Sequence, residues 1–162
     1  MTHPDAESLI QSFGITHHLI ILQLDGLSHA DSLLQPPFRG NCLNWVLGHI
    51  LVGRNQVLNL LGDPPIWGEG EQQRYETGSA PITGEDPALP LVRLLADLDQ
   101  SQQQISAALE QTSPEDLGAV VQFRGSERPL GQAIAGLHWH ETYHTGQLEL
   151  LRQLAGTNDA II

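Results

Sequence analysis

Residues 129–156, PLGQAIAGLHWHETYHTGQLELLRQLAG, decide the fold. Pro129 suits a first helical turn and Gly156 a C-terminal stop, so the run reads as one long helix ending near Ala155. Advancing about 100° per residue from His144 puts Ala133, Leu137, His140, Leu148 and Leu151 within about 40° of it. Both histidines therefore point where the leucines point, into a core. His138 falls about 120° away, on the flank or the surface. A helix with one such stripe needs other helices to cover it.

Three further helical patterns supply them. The first runs from about Asp5 to Ser28, with Leu9, Ile10, Phe13, His17, Ile20, Leu24 and Leu27 near one stripe. The second starts near Asn41 and runs through NWVLGHILVGRNQVLNLL to a stop at Gly62. It is apolar on more than one side and should be heavily buried. The third spans about Pro87 to Gln111, with Leu91, Leu94, Leu95, Leu98, Ile105 and Leu109 inward. Residues 63–86, rich in Pro and Gly, read as a long irregular connection over one end of the bundle. Ser113-Pro114 starts a short extra turn, and residues 119–123 read as briefly extended. The expectation is an all-α four-helix bundle that is not simply up-down-up-down, in a single domain over residues 1–162.

Bulk composition narrows the function. One cysteine, Cys42, excludes an intrachain disulfide framework, and nothing at the N-terminus resembles a signal peptide. No apolar run approaches the ~18 residues that span a bilayer. The reading is a cytoplasmic protein. Nineteen acidic residues against 7 Lys plus Arg give a net charge of -12, which repels nucleic acid and anionic membrane surfaces.

The pair His140 and His144 is the candidate site. Two imidazoles on one buried stripe are costly to desolvate alone, and a shared divalent transition metal satisfies both. His49, the only histidine on the second helix, completes a three-histidine site if that helix packs on the fourth. Gly48 and Gly146 would then allow close backbone approach. His17, on the inner stripe of the first helix, competes as a ligand and more readily lines the pocket. Glu141 lies about 60° from His144, at the edge of the inner face. It reads as a rim carboxylate tuning the ligand helix, or else as a base. Gln147 faces inward near His140 and could orient a ligand.

HETYH also matches the H-E-x-x-H signature of zinc peptidases. The extended form of that signature wants Gly at 147 and His at 150, where this chain has Gln147 and Leu150. A di-iron carboxylate site fails too, because Glu141-x-x-His144 has no second such unit.

With NWVLGHI in the second helix and HETYHTGQLELLRQLAG in the fourth, the chain resembles the DinB-like superfamily, which includes YfiT-like metal-dependent hydrolases and thiol-dependent S-transferases. The resemblance covers essentially the whole chain. It implies an up-down-down-up four-helix bundle, a homodimer, and one divalent metal held by His49, His140 and His144. Zinc or nickel come first as that metal, iron or manganese next. It also implies a low-molecular-weight thiol as co-substrate, or water, acting on a small electrophile. Such an ion helps either one lose its proton. The alternative is a non-catalytic metal-binding stress-response protein.

Overall fold

The computed structural model describes residues 3–83 and 87–161, and most of them are helical. Asp5 caps α1 (Ala6–Leu24), its carboxylate accepting the Ser8 amide at 2.7 Å. The helix was expected to reach Ser28. It stops four residues sooner because Gly26 takes a φ of 74°, and Ser28 instead starts α2 (His29–Ser32) through a capping box with Asp31. α3 (Leu43–Leu61) ends at Gly62, whose left-handed φ of 81° no other residue type adopts as cheaply.

The connection after α3 is more ordered than its composition implies. It contains α4 (Glu69–Tyr75), and Trp67 and Tyr75 are both buried. The Tyr75 hydroxyl donates to Asn44 Oδ1 at 3.1 Å and accepts the Leu89 amide at 2.8 Å. Two buried aromatics thus pin a segment that Pro and Gly alone would leave loose. Residues 84–86 of this connection lie outside the described residues.

α5 (Leu91–Gln111) begins after Pro90 rather than at Pro87. α6 (Pro114–Gly118) follows a Ser113–Asp116 capping box. The expected extended stretch is β1 (Val120–Phe123), and it pairs with a strand the sequence reading missed, β2 (Ser126–Pro129). The two are antiparallel, with Val120 opposite Pro129 and Phe123 opposite Ser126. Pro129 then leads into α7 (Leu130–Arg152).

α1 packs on α5 and α7, and α3 packs on the same two helices. α7 therefore lies between α1 and α3 and buries a wide sector. Ile20, Leu47, Ile50, Leu94, Leu98 and Leu148 fill the core at one end, and Phe13, Val57, Leu58, Ile105 and Ile134 at the other. Among the described residues no helix is long and apolar enough to cross a membrane.

Candidate metal centre

His140 and His144 stand one turn apart on α7, and His49 faces them from α3. His140 Nε2 lies 3.3 Å from His49 Nε2 and 3.1 Å from His144 Nε2. All three Nε2 atoms thus meet at one point, with His49 and His144 buried and His140 half-buried.

The groups behind the rings decide which way their lone pairs face. His49 Nδ1 lies 2.7 Å from the Tyr75 carbonyl, and His144 Nδ1 lies 2.7 Å from Gln147 Oε1. Both oxygens only accept, so each Nδ1 carries the proton and each Nε2 presents a bare lone pair. A proton on His140 Nε2 serves one of these lone pairs well at a time. A single cation satisfies all three nitrogens at once.

The spacing fits such a cation. Ligand nitrogens about 2.0–2.1 Å from a tetrahedral ion are about 3.3–3.4 Å apart, close to the observed separations. The three histidines could hold a metal ion, since their ligand atoms all lie within 4.8 Å of one another.

Protonation is also suppressed. Burial holds His49 below the usual histidine range, against the Tyr75 carbonyl, and the Arg124 charge adds to it. Burial does the same at His144, opposed by the Gln147 bond. His140 is pushed down to about 4 by burial, then by its two neighbouring imidazoles. Neutral rings at pH 7 are the form that binds a metal.

The surroundings reach from local sequence to site geometry. Trp45, one turn before His49, stacks on its ring at 4.8 Å. Gly48 leaves room for the Tyr75 ring, since a Cβ there would sit 2.1 Å from it. The close approach expected at Gly48 therefore serves Tyr75, whose carbonyl holds His49. A side chain at Gly146 would meet nothing within 4 Å of its Cβ, so the same expectation fails there.

Two clefts open on the cluster. One, of about 520 Å³, is lined by Phe38, Arg39, Trp45, Trp139, Tyr143 and Leu150 together with all three histidines and Gln147. The other, of about 370 Å³, is lined by Gln56, Glu76, Thr77 and Arg124 with His49 and His140.

Two other candidate residues stand elsewhere than expected. His17 lines neither cleft. Its Nε2 lies 3.2 Å from Asp99 on α5. Glu141 is no rim carboxylate but is buried. It takes Arg54 Nε at 2.9 Å and Nη2 at 2.8 Å, and the Thr16 hydroxyl at 2.5 Å. Arg54, also buried, gives its remaining Nη1 to Ser101 Oγ at 3.1 Å and the Leu98 carbonyl at 3.2 Å. One ion pair thereby ties α1, α3, α5 and α7 beneath the histidines. The sequence reading missed Arg54, although it is the only Asp, Glu, Lys or Arg in α3. A charge in so apolar a helix requires a buried counter-charge, and that was the available signal.

No curated protein sequence matches this chain. Two crystal structures share its fold. A conserved protein of Enterococcus faecalis aligns with a TM-score of 0.71 at 16% identity, over 91% of this chain and 95% of its own. A DinB-like protein from Bacillus cereus ATCC 10987 aligns with a TM-score of 0.72 at 20% identity, over 96% and 97%. The sequence profile of the DinB superfamily matches residues 15–148, a span that takes in all three histidines, and the chain belongs to that superfamily.

Proposed function

We propose that His49, His140 and His144 hold one divalent transition metal, and that the chain is a metal-dependent enzyme acting on small electrophilic molecules. Transfer to a low-molecular-weight thiol is the leading reaction, and hydrolysis the other. The observation that carries this reading is the convergence of three Nε2 atoms, two of them with lone pairs fixed by Tyr75 and Gln147, at the meeting of two open clefts. When bound, such an ion supplies Lewis acidity, which lets a thiol or water give up its proton near neutral pH.

The residues divide the remaining work. The Tyr75 carbonyl keeps His49, and Gln147 keeps His144, in the metal-binding tautomer. Trp45, Trp139, Tyr143 and Phe38 give the larger cleft an apolar wall on which the body of an electrophile can rest. Glu141, with its oxygens already bonded to Arg54 and Thr16, moves no proton. Three imidazoles suit zinc or nickel, then iron or manganese.

The alternative is a non-catalytic metal-binding stress-response protein, for which a sealed site would be enough. A cleft of about 520 Å³ beside the histidines favours catalysis. In the same reading the four long helices run up-down-down-up, and the long connection between α3 and α5 supports two adjacent helices running the same way.

The test is a screen of protein loaded with zinc, nickel, manganese or iron against small electrophiles, with glutathione, bacillithiol, mycothiol or water as nucleophile. At least one combination should turn over, and His49→Ala should abolish it. A flat screen for every metal would rule out the enzyme and leave the binding protein.

A further inference from the structure

The seven cations of this chain are all arginines. Five are engaged. Arg54 binds Glu141, Arg93 binds Asp97 and Glu71, and Arg152 binds Asp159. Arg74 donates to the Ala80 carbonyl and Arg128 to the Ser126 hydroxyl. Of the seven guanidinium groups only those of Arg39 and Arg124 make no hydrogen bond or ion pair among the described residues, and each lines one of the two clefts at the histidines.

Arg124 is held there against its backbone preference. It opens the two-residue turn between β1 and β2 with a φ of 50°, the only positive φ among described residues other than glycine. Such a turn favours Asn, Asp or Gly, and a long L side chain is strained in it. Strain of this kind persists where a site uses it. The Phe123 ring supports the guanidinium from 5.1 Å.

Glu76 lines the same cleft of about 370 Å³, with Gln56 and Thr77, yet makes no ion pair with Arg124. Two opposite charges that line one small polar cleft without pairing suit a ligand that carries both. The net charge of -12 separates the candidates further. It repels a free anion at long range but leaves a zwitterion nearly untouched.

We propose that this cleft is the subsite for the α-amino-acid group of the thiol co-substrate, its carboxylate on Arg124 and its ammonium on Glu76, while the aromatic cleft takes the electrophile. That the ligand is a thiol rests on the function proposed above; the charge pattern stands on its own.

Four thiols separate the contributions: L-cysteine, cysteamine without the carboxylate, 3-mercaptopropionate without the amine, and 2-mercaptoethanol without either. Calorimetric titration into cobalt-loaded and into metal-free protein should show cysteine binding about tenfold tighter than either single-charge thiol. Arg124→Gln should erase the advantage over cysteamine, and Glu76→Gln the advantage over 3-mercaptopropionate. Both residues are exposed, so folding is not at stake. Four thiols binding alike, or variants that weaken all four equally, would overturn the subsite. Chelation of cobalt by the sulfur and amine of cysteine would survive both substitutions, which also counts against it. Metal content is measured separately. A chain that took up no cobalt would end the metal reading, while the charge preference in metal-free protein would still decide the subsite.

Discussion

His140 and Glu141 are neighbours on α7, yet they belong to two contrasting regions. Glu141 sits in a polar core where the donors of Arg54 meet the acceptors of Glu141, Leu98 and Ser101. His140 sits where lone pairs from two other imidazoles arrive with nothing in the protein to satisfy them all. The first region is complete without a ligand and holds helices together. The second is complete only with a cation, and it faces open clefts. Satisfied polar groups mark scaffold, and unsatisfied convergent ones mark chemistry.

The largest expected effect comes from damaging the satisfied region. Glu141→Ala leaves the Arg54 charge buried and unpaired, and urea denaturation should show a loss of about 3–5 kcal/mol. Replacing the pair together, Arg54→Met with Glu141→Leu, should recover most of that and leave metal uptake unchanged. A double variant that folds but binds no metal would break the separation of the two regions.

Gly48→Ala attacks the open region through its support. The added methyl meets the Tyr75 ring, so stability should fall by about 1–3 kcal/mol and metal affinity with it, as the carbonyl leaves His49. Gly146→Ala is the control. It meets nothing within 4 Å and should be neutral or slightly stabilising. Equal losses at both glycines would show that the Tyr75 seat is unimportant.

The smallest effect is one of pH. In metal-free protein the three site histidines are held below their unfolded value of about 6.5, so between the two values the unfolded chain binds more protons. Stability should therefore be level above about pH 6.5 and decline as pH falls below it. The His140 share of that decline should end near pH 4, where His140 itself takes a proton. His140→Gln should flatten this slope. A slope unchanged in that variant would place the acid sensitivity elsewhere.

The legibility of these regions in the sequence differed for a physical reason. The pair His140–His144 is local, so a helical period reveals it. His49 could be matched to it once α3 was seen to be buried on several sides. Arg54 and Glu141 are far apart in the chain, and no period links them. The angle of Glu141 from the leucine stripe suggested an edge, but α7 is flanked by α1 as well as α3, and a helix packed on two sides buries more than one stripe. The same packing sets the His138 ring edge-on to Phe13 at 5.0 Å, where a flank or surface position was expected. Tyr75 was hidden for another reason: it sits in a segment whose Pro and Gly content says loop, and its contacts with Gly48, Asn44 and His49 are all distant in the chain.

The three-histidine site is tested most directly by metal analysis of untagged protein beside its His49→Ala variant, with X-ray absorption at the metal edge. The expected result is one divalent ion per chain, with imidazole nitrogens at about 2.0–2.1 Å, and its loss in the variant. Protein that takes up no ion, or a variant that binds it as tightly as the parent, would contradict the site.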